Sequence, residues 1–334
     1  MWRFLLVLLL VAGGAAGWAY YDYSRYLEEP IEISQADRLF TIESGWSAKR
    51  VSQSLASKGL NSKPHWFDLY ARQSGLGTKI KAGEFILDGE LTVPQLLNTF
   101  ATGRTVQYSH TIIEGNTFKQ VRAQLANASQ MQQTLADMDA ASLMSKLGSP
   151  NVHPEGQFFA DTYSYPKNTT DLDYLKRSHQ ALKKVLQEEW ENRAPDLPLE
   201  SAYEALILAS IVEKETAVAE ERPLIAGVFH SRLRKKMRLQ TDPTVIYGMG
   251  DAYDGNIRRK DLTTDTPYNT YTRAGLPPTP ISMVGRDAIN AALNPTDTEA
   301  LYFVSRGDGT HKFSETLEQH NAAVAKYQLK RRSQ

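Results

Sequence analysis

The chain has 334 residues, 41% of them apolar and 23% charged, an ordinary globular composition with room for two domains and a substantial core. Its 38 basic side chains balance 38 acidic ones, so net charge gives no reason to expect nucleic acid as a partner. With no cysteine, disulfides, thiolate catalysis and Cys-based zinc or iron–sulfur sites are excluded. The compartment is left open by this.

Trp2 to Ala19 is almost wholly apolar, broken only by Arg3, and close to the ~20 residues a helix needs to cross a bilayer. Tyr20, Tyr21, Tyr23 and Tyr26 follow as an interfacial aromatic belt would. Residues 1–22 therefore read as a cytoplasmic start and a transmembrane signal-anchor, with 2–19 in the lipid bilayer and the rest exported. The Gly/Ala-rich stretch from Gly13 to Ala19 leaves a cleaved signal peptide as the alternative. Residues 23–37, polar, aromatic and ending in EEPIE, read as a stalk.

A small α/β unit is predicted over 38–104. Leu39–Ile42 is a strand, Ser44-Gly45 a turn, and Ser47 the N-cap of a helix over Ala48–Lys58 with Val51, Leu55 and Ala56 on one stripe. Gly59 closes that helix. A second helix, about Lys63 to Ser74, carries Trp66, Phe67, Leu69 and Tyr70, followed by a strand over Lys81–Leu87 and a helix over Val93–Thr102. Strand–helix–helix–strand with an ESG turn and a KAGEF return resembles a LysM-like carbohydrate-binding module, a plain support domain being the alternative.

The second domain is predicted over 105–330. Its opening, Ile113-Glu114-Gly115-Asn116-Thr117 and then FKQVRAQLA, echoes Ile42-Glu43-Ser44-Gly45, Ser47 and AKRVSQSLA. This is an old duplication or two uses of one strand-to-helix turn. A strand is expected over Val106–Ile113 and a polar helix over Met131–Leu147. A long aromatic loop follows over Pro150–Thr170, containing EGQFFADTYSYP, and then an amphipathic helix over Asp171–Arg193. A terminal helix after Gln319 turns Val324 and Tyr327 inward and ends in the basic KRRSQ. The whole is expected to be α+β.

The chemistry concentrates between Glu204 and Gly250. On a helical wheel at ~100° per residue, Leu208, Ile211 and Val212 define an apolar arc over Glu204–Val218. Glu215 falls inside that arc and Glu213 on the opposite, solvated side. A carboxyl in an apolar setting keeps its proton above the usual pKa of about 4.3. Such a group can protonate a glycosidic oxygen. Alternatively Glu215 pairs with a nearby Arg222, Arg232 or Arg234. Behind it, MRLQTDPTVIYGMG reads as a polar loop in which Gln240, Thr241 and Asp242 supply hydrogen bonds and Tyr247 could stack on a sugar ring. A further cluster, TPYNTYTRAGLPPTPIS, reads as a saccharide wall of Tyr268, Asn269, Thr270 and Tyr271. The seven histidines are scattered and no metal or other cofactor is expected.

These motifs (ASIVEKETAVAEERPLIAGVFHSRL, LQTDPTVIYG, the EGxFFxDTY loop, YNTYxxxGLPPxPI, ALNP and LYFV) resemble those of the YceG-like, or MltG, endolytic murein transglycosylases. The resemblance runs over the anchor, the LysM-like unit and nearly all of Glu114–Tyr327. It implies an enzyme of the bacterial inner membrane, amino end in the cytoplasm and bulk in the periplasm, that cuts peptidoglycan glycan strands internally between N-acetylmuramic acid and N-acetylglucosamine. It implies Glu215, the second Glu of EKET, as the catalytic acid and then base, with a 1,6-anhydro product that consumes no water. Gln240, Thr241, Asp242, Tyr247, Asn269 and Tyr271 would hold the strand, with Glu155 and Tyr163 in the same groove. Peptidoglycan synthases are the protein partners it suggests. A muramidase using Asp242 as base and a non-catalytic envelope scaffold are the competing readings.

Overall fold

The structure is a computed structural model, and it describes residues 2–329. Met1 and the basic end at 330–334 lie outside the described residues. The chain divides into two compact units: Met1–Tyr108 with Ser164–Thr169, and Ser109–Tyr163 with Thr170–Gln334.

The first unit opens with α1 (Trp2–Glu28), the one helix among the described residues long and apolar enough to cross a membrane. Then come β1 (Ile31–Glu32), β2 (Leu39–Ile42), α2 (Ala48–Ser57), α3 (Pro64–Gln73), β3 (Gly83–Ile86), β4 (Glu90–Leu91) and α4 (Val93–Thr102). Strands β2 and β3 pair antiparallel, from Leu39 opposite Ile86 to Ile42 opposite Gly83, and β1 pairs with β4. Alternation along β2 sends Phe40 and Ile42 inward, where they join Phe67, Phe85, Leu96 and Phe100 in one core. Ser47 caps α2 through the Arg50 amide as its sequence predicts.

The expected stalk is different in its first part. Residues 23–28 continue α1, and this end of the helix is built into the core. Tyr26 is buried and donates to Asn61 Oδ1 (2.7 Å), while Asp22 takes the Lys63 ammonium (2.5 Å) and the Trp66 indole N–H (2.9 Å). Tyr23 adds a bond to Gln73 (2.6 Å). A polar, tyrosine-rich composition suggests a connector, but these polar groups are used for tertiary contacts.

The second unit contains, in order, α5 (Phe118–Ala126), α6 (Ala140–Lys146), α7 (Asp171–Glu191), α8 (Ala202–Glu215), α9 (Arg222–Arg234), α10 (Asp242–Met249), α11 (Arg259–Thr263) and α12 (Arg286–Leu293). It ends with an antiparallel hairpin, and then α13 (Leu317–Val324) running on into a π-turn at Ala325–Leu329. The division between the units falls inside two paired strands, β5 (Gln107–Thr111) and β6 (Thr162–Pro166); the terminal hairpin is β7 (Tyr302–Ser305) with β8 (His311–Ser314).

Helix α8 is the axis of this unit. Every residue from Ala205 to Val212 is buried, and α7, α9, α10 and α12 pack around it. Two expectations change here. The helix predicted over Met131–Leu147 is only α6, because the amides of Thr134 and Leu135 donate to the buried carboxylate of Asp171 (2.9 and 3.2 Å) instead of to a helical ladder. The loop predicted over Met237–Gly250 becomes helical from Asp242. Pro243 sits in the first turn, where its missing N–H is harmless, and Thr244 and Val245 are buried.

Because, among the described residues, the Tyr26 hydroxyl is the only side-chain group that donates to Asn61 inside this core, Tyr26→Phe should destabilise the full chain by about 1 kcal/mol. Urea unfolding in detergent micelles, followed by near-UV circular dichroism, measures it. An unchanged midpoint would mean that α1 is not held in the core in this way.

Candidate active site

Glu215 is the last residue of α8, where the chain turns to extended backbone at Thr216. It is partly buried, and its Oε1 accepts the Thr241 hydroxyl. Among the described residues it pairs with no arginine. Arg222 goes to Glu213, Arg232 to backbone carbonyls, and Arg234 to the Asp196 carbonyl. Burial lifts the Glu215 pKa to about 7; the Thr241 hydrogen bond opposes that shift, and the nearby Asp242 charge adds to it.

Glu215 stands at the edge of a cleft of about 570 Å³. One wall is the chain from Leu239 to Asp242 with Tyr271 behind it. Gln240 has a left-handed backbone (φ 53°), and its amide donates to the Thr270 carbonyl (3.2 Å), while the Thr241 amide donates to Thr270 Oγ1 (3.1 Å). This turn aims the Thr241 hydroxyl back at the acid. Arg232, itself buried, fixes the same segment by donating to the carbonyls of Arg238 (2.9 Å) and Leu239 (3.1 Å) and to Gln240 Oε1 (3.2 Å). Tyr271 donates its hydroxyl to Asp242 (2.6 Å). The opposite wall comes from β7 and α13, with Tyr302, Phe303, His320, Asn321 and Gln328. That wall is absent from the sequence reading. Its one visible signal is the LYFV motif, to which the sequence assigns no role.

Of the predicted site residues, Glu215, Gln240, Thr241, Asp242 and Tyr271 meet in this cleft. The others do not line it. Asn269 is buried, donating to the carbonyls of Asp261, Leu262 and Thr264 and accepting the Tyr271 amide, so it ties a loop together. Tyr163 is buried with its hydroxyl on the Phe159 carbonyl (3.1 Å). Glu155 is also buried. It accepts the Phe118 amide at the start of α5 (2.9 Å) and the Tyr247 hydroxyl on α10 (3.0 Å), and desolvation lifts its pKa to about 7. Gly156 beside it has φ 72°, with Pro280 where a Cβ would stand, which is why the EG turn takes glycine.

Glu213 corrects the helical wheel. Its side chain is only 5% exposed, salt-bridged to Arg222 (3.5 Å) and holding the Gly285 amide (3.1 Å). A wheel drawn for one helix contains no neighbours, and here Arg222 and the Gly285 backbone cover the Glu213 side of α8 while Lys214 beside it stays exposed. Glu213 and Glu215 both line a second cleft, of about 710 Å³, with Lys214, Arg222 and the turn Thr111–Gly115. Among the described residues, no group of three or more His, Asp or Glu side chains is placed to hold a metal ion.

Fold and site together define a mixed α+β protein with one high-pKa acid between two clefts. The chain belongs to the YceG-like family, whose model matches residues 40–326. It is 30% identical over 341 residues to a Bacillus subtilis (strain 168) protein named endolytic murein transglycosylase, covering 95% of this chain and 91% of that one. A Streptococcus pneumoniae (serotype 2, strain D39) protein of the same name is 28% identical over 361 residues; the match takes in 97% of this chain but 64% of that longer one. The 2.6 Å crystal structure of a yceG-like protein from Listeria monocytogenes is similar at a TM-score of 0.53 and 29% identity, over 85% of this chain and 97% of that one.

The raised pKa carries a sign that can be measured. Between pH about 4.5 and about 7 the folded chain keeps the Glu215 proton that the unfolded chain releases, so this group's contribution to stability falls as pH rises. Glu155 has the same sign in the same window, so a comparison with a Glu215 variant is needed. Glu215→Gln should gain stability relative to wild type on going from pH 5 to pH 7.5. Parallel melting curves would show that Glu215 titrates normally.

Proposed function

We propose that the chain is an endolytic murein transglycosylase in which Glu215 is the one catalytic acid and then the base. The observation that carries this is a carboxyl raised to about pH 7 by burial, facing a cleft walled by tyrosine rings and side-chain amides. The names of the similar Bacillus and Streptococcus proteins support the same activity.

In this reading the glycan strand lies in the cleft beside Tyr271 and Tyr302, with Gln240, Asp242 and Asn321 available to its hydroxyl and N-acetyl groups. Glu215 protonates the oxygen between N-acetylmuramic acid and N-acetylglucosamine as the bond breaks. The neighbouring N-acetyl group eases the oxocarbenium-like centre. Glu215, now a carboxylate, takes the proton of the sugar's own C6 hydroxyl, whose oxygen closes a 1,6-anhydro ring. Water is not consumed, so no second carboxylate is needed to activate it. Thr241 acts by holding one carboxylate oxygen, which leaves the other for the substrate. Asp242 lies exposed on the same cleft, and it is the group that would serve as base if the reaction were instead hydrolytic.

The remaining assignments extend this reading. Residues 2–19 anchor the chain in the inner membrane with the amino end in the cytoplasm, in keeping with the length and apolarity of α1. Residues 38–104 form a LysM-like module, for which the β2–α2–α3–β3 order and the antiparallel strand pair speak. Work alongside peptidoglycan synthases rests on the family resemblance alone.

Glu215→Gln should lower the rate of strand cleavage by about 10²–10⁴. Mass spectrometry of wild-type products should find 1,6-anhydro ends, whereas reducing ends would establish hydrolysis. A Glu215→Gln enzyme as fast as wild type would remove Glu215 from the chemistry. Activity that needs protonated Glu215 should also decline above pH about 7. Thr241→Val, which deletes a hydrogen bond that holds this pKa down, should move that decline to higher pH, and a shift to lower pH would contradict the arrangement.

A further inference from the structure

The two clefts that meet at Glu215 differ in chemistry. The first offers aromatic rings and amides: Tyr271, Tyr302, Gln240 and Asn321. Such groups stack on and hydrogen-bond to neutral sugars. The second has no aromatic side chain in its lining. It is aliphatic at Ile112, Ile113, Ala160 and Ala217, carries three threonines, and is charged at Glu114, Asp161, Glu213, Lys214, Glu215 and Arg222.

Its charges are unequally satisfied. Arg222 is neutralised by Glu213 (3.5 Å) and Asp287 (3.4 Å). Lys214, the residue between the two glutamates, is exposed and reaches over Gly115, donating to that carbonyl (3.1 Å). Among the described residues no carboxylate pairs with it, so two of its three N–H donors remain. Glu114, on the same turn, is exposed and accepts no hydrogen bond from the described residues. Asp161 is exposed as well, with one oxygen on the Thr162 amide (2.6 Å). Uncompensated charges of both signs, over an aliphatic floor and next to the acid, are more than an uncharged sugar ring needs. They suit a short peptide that carries carboxylates and an amino group.

We infer that the second cleft binds the peptide stem borne by the muramic sugar next to the scissile bond, with Lys214 on a stem carboxylate and Glu114 and Asp161 toward its amino group. This rests on the transglycosylase reading and adds to it a preference for stem-bearing over stripped strands. Lys214 is then a specificity residue, distinct from the acid beside it.

The test uses the full chain in detergent micelles with two substrates: purified glycan strands that keep their peptide stems, and the same strands stripped of stems by an amidase. The quantity read is the ratio of kcat/KM on the two. Wild type should favour stem-bearing strands by about tenfold or more, the scale of one hydrogen bond to a charged group. Lys214→Met should lower that ratio roughly tenfold, and Glu114→Gln should move it in the same direction. Lys214 is exposed and, among the described residues, its ammonium bonds only the Gly115 carbonyl, so the fold does not depend on it. A wild-type ratio near one, or a Lys214→Met loss equal on both substrates, overturns the assignment. A wild type that cuts neither substrate overturns the transglycosylase reading itself and the cleft assignment with it.

Discussion

The second unit depends on burying the Ala205–Val212 stretch of α8 on every side while the turn that follows carries two carboxylates. The apolar run Ala205–Val212 has nowhere to go but the centre of the helix cluster, and it carries Glu213 and Glu215 in with it. Each then needs compensation, since an isolated buried charge is expensive. Glu213 receives a guanidinium and a backbone N–H. Glu215 receives one neutral hydroxyl. That difference leaves Glu215, of the two, without a cation to hold its proton off, and burial lifts its pKa to about 7.

Much of the surrounding sequence serves to hold that acid and its cleft in place. The segment from Ile281 to Gly285 is laced to α8 through Ser210 and Glu213, and to the turn at Gly115 and Asn116 through Met283. Arg232 and Thr270 set the turn at Gln240 and Thr241 from two sides. Polar residues that look like sugar contacts in a linear reading are here internal ties. Thr241 faces the acid, Asn269 caps its own loop, and Glu155 joins α5 to α10 through Tyr247. If Glu215 is the acid as proposed, a rigid shell of this kind keeps it within the narrow geometry that such chemistry requires.

Placing the acid at a helix terminus also lets it face two clefts. An acid in mid-helix would present itself to one face only. Glu215 is the last residue of α8, the backbone turns to extended form at Thr216, and the side chain borders an aromatic cleft and a charged one. Whether a side offers rings or charges follows from which segments border it.

Local signals in the sequence were enough for much of this protein. The apolar run after Met1, the Ser47 and Thr117 caps and the alternation in β2 depend on neighbours a few residues away, and each is found as expected. Glu215, Gln240, Thr241, Asp242 and Tyr271 line one cleft, whereas Tyr247, Asn269, Glu155 and Tyr163, expected in the same groove, do not. Tertiary structure decided the rest. Glu213 is buried because helices from distant parts of the chain enclose α8, and a wheel drawn for one helix contains no neighbours. Residues 131–139 stay irregular because the carboxylate of Asp171, more than thirty positions later, takes their amides. The wall of Tyr302, His320 and Asn321 and the charged cleft around Lys214 arise where separate segments converge. The residue sequence determined that an acid would sit in an apolar setting. Only packing determined which of the two glutamates would lack a cation, and which groups would border each side of it.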